Sequence, residues 1–336
     1  MTTTPVSTAL NHGKFPRKAL AGICFGAVLA LSSQAHAGLF DWLRPKKDDY
    51  TQTRYPIVLA HGLFGFSNIA GIDYWHGIPN ELRKSGAQVY IGSTSAANSN
   101  EVLGEQLIEQ LDDWAASSGA QKFNLIGHSQ GGGTIRYVAA VRPDLVASVT
   151  TIGSSHKGSG VADALTLIPE GSLIQTAISE VVNVFARIIN LIGGNSANRP
   201  QQSLAALGSL SSKGAEDFNR RFPLGIPTTA CGEGVYQANG MRFYSWTGDA
   251  TATALIRDPS DSGMISGAVV NKLMGKGDSD GMAPVCGAHF GKVIRDNYHM
   301  NHLDEVNQIV GATNMFETSP ITLYRAHANR LKNEGL

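Results

Sequence analysis

The sequence predicts an α/β protein built on a mainly parallel sheet. Three observations carry that prediction. Short uncharged runs rich in branched apolar residues occur at Pro56–Ala60, Phe123–Ile126 and Val146–Ile152, the pattern of strands buried on both faces. Stretches with helical apolar spacing separate them, as in repeated βαβ units. No repeat, low-complexity tract or convincing linker divides Tyr55 to Leu336, so one domain is expected.

In chain order, Gly38–Thr53 is polar and Pro-interrupted and reads as an extended lead-in. Pro56–Ala60 is the first buried strand and ends at His61-Gly62. Glu101–Trp114 carries Val102, Leu103, Leu107, Ile108 and Leu111 at helical spacing. Thr134–Val141 reads as a helix stopped near Pro143, and Val146–Ile152 as a third strand. Leu173–Ile192 places Ile174, Ile178, Val181, Val182, Phe185, Ile188, Ile189 and Ile192 on one arc of a helix, with Gln175, Ser179, Glu180, Asn183, Arg187 and Asn190 opposite. It is too polar to span a bilayer; on pattern alone it is an amphipathic core helix.

Composition narrows the function. The 336 residues hold 27 basic and 27 acidic side chains, 16% charged and 42% hydrophobic. That excludes a disordered tail protein and a basic nucleic-acid binder. Gly131-Gly132-Gly133 lacks the following Lys-Ser/Thr of a phosphate loop. At the N-terminus, Lys14, Arg17 and Lys18 precede the uncharged, mostly apolar run Ala19–Leu31, and Ala35-His36-Ala37 follows. This is the pattern of a secretory signal peptide over residues 1–37. Its removal takes three basic residues and no acid, leaving 299 residues with 24 basic and 27 acidic side chains. Cys24 leaves with it, and Cys231 and Cys286 remain as an even pair in an exported chain, which predicts a disulfide.

Gly127-His128-Ser129-Gln130-Gly131 matches Gly-x-Ser-x-Gly, and so does Gly277-Asp278-Ser279-Asp280-Gly281. A pattern this short also arises by chance, so context decides. The first match follows an apolar strand and opens a helix, the strand–turn–helix that a nucleophile elbow requires. The second has no such context. Ser129 is therefore the candidate nucleophile. The residue after it, Gln130, supplies one backbone N–H to a developing oxyanion, and Leu63, in the loop after the first strand, is the candidate second donor.

A serine hydroxyl needs a histidine base and an orienting carboxylate. On this architecture the order is Ser, then acid, then His. The late histidines are His289, His299, His302 and His327. Asn301-His302-Leu303-Asp304 is a short polar loop, so His302 leads, whereas His289 fits packing and His327 lies in a C-terminal helix pattern. Among Asp258, Asp261, Asp278 and Asp280, spacing does not choose.

From Tyr55 to Leu336 the chain resembles the secreted bacterial triacylglycerol lipases of the Pseudomonas–Burkholderia type, with an α/β-hydrolase fold. The resemblance rests on Tyr-Pro-Ile-Val-Leu-Ala-His-Gly-Leu-Phe-Gly-Phe (55–66), Asn-Leu-Ile-Gly-His-Ser-Gln-Gly-Gly (124–132) and Ile-Arg-Tyr-Val-Ala-Ala-Val-Arg-Pro-Asp-Leu (135–145). It continues in Ala-Cys-Gly-Glu-Gly (230–234), Asp-Pro-Ser-Asp (258–261), Asp-Gly (280–281) and Met-Asn-His-Leu-Asp-Glu-Val-Asn-Gln (300–308). It implies a lipase domain over 38–336, a triad of Ser129, Asp280 and His302, oxyanion donors at Leu63 and Gln130, and the Cys231–Cys286 disulfide. It also implies one structural calcium ion held by Asp258 and Asp304 and by the backbone carbonyls of Gln308 and Ala312. Oxygen-only ligands suit such a hard cation. By the same resemblance, residues of about 171–195 form a helical lid, a membrane-anchored lipase-specific foldase assists folding, and the enzyme is exported through the periplasm to act on water-insoluble acylglycerols. A carboxylesterase acting on soluble short-chain esters shares the triad and differs in the lid. A non-catalytic surface-binding protein would not need all three side chains.

Overall fold

The computed structural model describes residues 48–63, 65, 68–69, 72–167, 176, 179–181, 183, 202–253, 260–308 and 311–336. The leader 1–37, Asp258 and most of 171–195 lie outside the described residues.

The elements run β1 (Ile57–Ala60), β2 (Asn68–Ile69), β3 (Ile72–Asp73), α1 (Ile78–Lys84), β4 (Val89–Ile91), α2 (Asn100–Ser118), β5 (Phe123–His128), α3 (Gln130–Val141), β6 (Val146–Ile152) and α4 (Gly160–Leu167). They continue with α5 (Ser203–Leu210), α6 (Ser212–Arg221), β7 (Gln237–Ala238), β8 (Met241–Gly248), α7 (Asp261–Leu273), β9 (Lys292–Tyr298) and α8 (Pro320–Asn333). The seven-stranded sheet has the order β4-β1-β5-β6-β8, with β7 and β9 both pairing with β8. Every pairing in it is parallel except β7 with β8. β2 and β3 form a separate antiparallel pair.

Period-two alternation feeds two cores, one on each face of the sheet. Ile57 and Leu59 of β1 join Ile126, Ile152 and Trp246 under α1 and α8, with Trp75, Leu82 and Tyr324. Val58 and Ala60 join Leu125, Val149 and Phe243 under α2 and α3, with Leu107, Leu111 and Val138. Residues of β1, β5 and β6 are buried throughout, which is why these strands read as continuous apolar runs. Burying each large side chain contributes about 1.5–3 kcal/mol.

Local signals set the helix ends. The Ser99 side chain accepts the Val102 N–H and Gly119 closes α2 in the left-handed region, as N- and C-caps do. Pro320 opens α8, where its missing N–H costs nothing. His327 lies inside α8, fully buried, with Nε2 2.8 Å from Thr150 Oγ1. It ties the helix to the sheet. Within the predicted lid, Thr176, Ser179–Val181 and Asn183 are helical. Val181 is buried against Val161, Ala164 and Val270, and Glu180 accepts a hydrogen bond from Ser262 at 2.9 Å. The disulfide joins Cys231 to Cys286.

Candidate active site

Ser129 stands in the turn between β5 and α3, with φ 56° and ψ −126°. A side-chain-bearing residue with such a backbone costs about 1–3 kcal/mol and persists only when its surroundings impose it. The surroundings here are close backbone contacts. A Cβ on Gly127 would lie 2.4 Å from the Gly131 carbonyl oxygen, and one on Gly131 would lie 2.2 Å from that of Ala60. Glycine at both positions lets α3 pack directly on the sheet. The Ser129 N–H donates to Ile152 O at 2.9 Å, tying the turn to β6. The N-terminus of α3 thus sits at Ser129, and its positive dipole favours an anion there.

The loop after β9 carries His302, 4% exposed. Its Nδ1 lies 2.7 Å from Asp280 Oδ2, and its backbone N–H donates to Asp280 O at 2.9 Å. Asp280 is wholly buried. Its second oxygen accepts the N–H groups of Met282 at 2.8 Å and Ala283 at 2.6 Å. Those bonds fix its direction. The His302 ring packs 4.5 Å, centroid to centroid, from that of His128, the residue before Ser129. The fold therefore gathers elbow, imidazole and carboxylate from three separate stretches of chain.

Three of the other candidates have partners of their own. Asp278 is exposed and pairs with Lys272 at 2.9 Å. Asp261 is buried at the start of α7, with Oδ1 3.5 Å from Asn301 Nδ2. His289 faces Gly232 O and Asp296 Oδ2, each at 3.0 Å. Both its ring nitrogens therefore have oxygen partners of their own.

The loop after β1 abuts the elbow: a Cβ on Gly62 would lie 2.6 Å from Ser129 Cβ. Leu63 follows directly. Gln130 is buried and its side chain donates to Asn98 O at 2.7 Å.

Two side chains of this region were not anticipated from the sequence. Glu305, 1% exposed, accepts the Gly248 N–H at 2.5 Å, and its other oxygen lies 3.4 Å from His128 Nε2. Burial, and then the charge of Asp280, pushes its carboxyl well above the usual range. Its place three residues beyond His302 was the available signal. Tyr74 places its hydroxyl 2.6 Å from His128 Nδ1. Burial and then the nearby His302 hold His128 well below the ordinary imidazole range, so it is neutral.

Among the described residues, His128, His302 and Glu305 are the group whose nitrogen and oxygen atoms come within 4.8 Å of one another. Two imidazoles suit transition metals and not calcium. Of the expected calcium ligands, Asp304 directly precedes Glu305. Asp304 is 1% exposed and accepts the Asn301 N–H at 3.1 Å and the Thr253 hydroxyl. Gln308 is buried, and its N–H closes the loop onto Leu303 O at 3.1 Å. Ala312 is half-buried, and Asp258 lies outside the described residues. The described donors are all oxygens and include a buried carboxylate, so they fit a hard cation.

A strained serine thus stands between strand and helix on an α/β scaffold, and the residue before it packs against a His–Asp pair. The family model for the alpha/beta hydrolase fold matches residues 55–306. A triacylglycerol lipase of Vibrio cholerae is 55% identical over 289 residues, covering 85% of this chain and 90% of that protein. A triacylglycerol lipase of Burkholderia plantarii is 40% identical over 324 residues, covering 86% and 89%. The structure of EstA from Clostridium botulinum superposes with a TM-score of 0.57 at 18% identity, covering 84% and 88% of the two chains; it shares the fold. The chain belongs to the α/β-hydrolase family and, within it, to the bacterial triacylglycerol lipases of the Pseudomonas–Burkholderia type. Among the described residues, no helix is long and apolar enough to cross a membrane.

Proposed function

We propose that the protein is a secreted triacylglycerol lipase that cleaves carboxylic ester bonds of long-chain acylglycerols through an acyl-enzyme. The observation that carries this reading is the strained elbow at Ser129, whose preceding residue His128 packs against a buried histidine, His302, that is hydrogen-bonded to Asp280. Ser129 Oγ attacks the ester carbonyl while His302 takes its proton. Asp280 orients the imidazole through Nδ1 and stabilises its cation. The N–H groups of Leu63 and Gln130 hold the tetrahedral oxyanion. His302 then protonates the departing alcohol. Water, deprotonated by the same histidine, releases the fatty acid.

Residues of about 171–195 act as the lid. Exposing its apolar arc in water costs about 25 cal/mol per Å², and a lipid surface removes that cost and shifts the population to the open state. Residues 1–37 direct export, and a lipase-specific foldase assists folding in the periplasm. Asp258, Asp304 and the carbonyls of Gln308 and Ala312 would hold a single calcium ion, which would supply rigidity to the loop that carries His302.

The test is hydrolysis of a chain-length series of glycerides, with and without a chelator. The expected result is a rate that jumps when long-chain substrate forms an emulsion, and a thermal midpoint lowered by chelation. Saturation below the solubility limit, with only short esters turned over, would replace the reading by a soluble-ester carboxylesterase. An unchanged midpoint after chelation would remove the calcium.

A further inference from the structure

The second oxyanion donor on the proposed reading is a single backbone N–H, that of Leu63, on a loop rather than a helix end. A peptide group is planar, so the direction of that N–H is set by the Gly62 carbonyl on the opposite side of the same bond. The carbonyl is held twice. His61 Nδ1 lies 3.0 Å from Gly62 O, and the Gly65 N–H donates to the same oxygen at 3.0 Å. The histidine's tautomer follows from its other nitrogen. The Thr94 N–H points at Nε2 from 3.4 Å, so Nε2 accepts and Nδ1 carries the proton. Burial keeps the His61 imidazole below its ordinary range and hence neutral, and the ring is 4% exposed.

The preceding peptide is held as well. The Gly62 N–H donates to the Tyr74 hydroxyl at 3.1 Å. That hydroxyl in turn reaches His128 Nδ1 at 2.6 Å. His128 is the residue before Ser129, and its Nε2 faces Glu305 Oε2 at 3.4 Å. A chain of buried bonds therefore runs from the loop after β1, through a tyrosine, to the nucleophile's own strand. It fixes the distance between the two halves of the oxyanion hole.

We propose that His61 and Tyr74 are positioning residues of the oxyanion hole, which lock the Gly62–Leu63 peptide so that the Leu63 N–H and the Gln130 N–H converge on one point beside Ser129. The inference rests on the proposed ester-hydrolase reading of this site. Neither side chain touches substrate on this account, and both act through the backbone. A donor aimed before the reaction needs no reorganisation as charge develops, so its loss falls on the transition state and not on substrate binding.

The experiment compares Tyr74→Phe, His61→Ala and His61→Asn with the wild-type enzyme on one soluble ester, reading kcat and KM separately. It also measures inhibition by an alkyl boronic acid, whose tetrahedral serine adduct places an oxygen in the hole. Removing an oxyanion donor outright costs about 10²–10³ in kcat; misaiming one is expected to cost about 10- to 100-fold in kcat at unchanged KM. Boronate affinity should fall in parallel across the variants. In His61→Asn, the amide Nδ2–H stands where Nδ1–H stood, so most of the loss should be restored. Unchanged kcat in folded Tyr74→Phe, a loss confined to KM, or boronate affinity that does not track kcat would each overturn the proposal. Where His61→Ala does not fold, Tyr74→Phe and His61→Asn decide. Ser129→Ala run alongside separates the two readings. Retained hydrolysis there sinks the nucleophile assignment, whereas wild-type kinetics in Tyr74→Phe sinks only the positioning role.

Discussion

The two Gly-x-Ser-x-Gly stretches of this chain have the same lettering and opposite physical roles. In 127–131, both glycines are required by backbone atoms that leave no room for a Cβ, and Ser129 is forced to φ 56°. In 277–281, a Cβ on Gly277 would meet nothing within 4 Å. Ser279 is buried, and its Oγ accepts the Gly281 N–H at 3.3 Å. That second turn offers its carboxylate, Asp280, and not its serine. A nucleophile pattern is thus a statement about packing between a strand and a helix, and where the packing is missing the pattern says nothing.

The sharpest way to break the comparison is to delete each hydroxyl. Ser129→Ala should lower ester hydrolysis by at least about 10⁴-fold while the thermal midpoint is held. Ser279→Ala should lose about 1 kcal/mol of stability and less than tenfold in rate. Equal losses in an assay of both variants would erase the distinction.

Cys286 follows the second turn closely and joins it to Cys231 across 55 residues. Replacing both cysteines by serine should cost about 4 kcal/mol of unfolding free energy on the chain-entropy account. Denaturant titration measures it. A loss below about 1 kcal/mol would mean that the second turn is held by its hydrogen bonds alone.

The glycines give a contrast in stability. Gly127→Ala should cost about 3 kcal/mol or more, because the Gly131 carbonyl must move. Gly277→Ala should cost about 1 kcal/mol, since only its φ of +82° resists the change. Similar thermal midpoints for the two variants would contradict the packing argument.

The last effect is one of pH. His128, which precedes Ser129 in the elbow, His156 and His327 are all held well below the ordinary imidazole range by burial. Each takes up a proton on unfolding once pH falls below about 6.5. Their contribution is therefore complete above that pH and is lost as pH falls toward the folded values, by up to about 1.4 kcal/mol per pH unit for each. Glu305, whose pKa is raised, works in the opposite direction. Unfolding free energy measured from pH 7 to 5 should fall, and His327→Gln should flatten the slope. A flat wild-type profile would show that Glu305 cancels the histidines.

Much of the fold is legible because β1, β5 and β6 are buried on both faces and so carry unbroken apolar runs. β9 is not legible in this way, since Lys292, Arg295 and Asp296 interrupt it at the sheet's edge. α3 begins at Gln130, four residues before the apolar spacing suggests, because Gly131, Gly132 and Gly133 are poor helix formers that only packing keeps helical. Of the site, the elbow is legible from local context and His302 from its polar loop. The carboxylate was not, since four aspartates fit the order and only folding brings one of them to Nδ1.

By itself the sequence determined the layered α/β architecture and the strand–turn–helix that carries Ser129, because both follow from short-range rules: alternation along a strand, and glycines where strand meets helix. Only the tertiary structure decided that Asp280 faces His302, that His289 and His327 are structural, and that Glu305 and Tyr74 crowd around His128. Those outcomes depend on hydrogen-bond geometry between residues that are mostly far apart in the chain, which chain order does not encode.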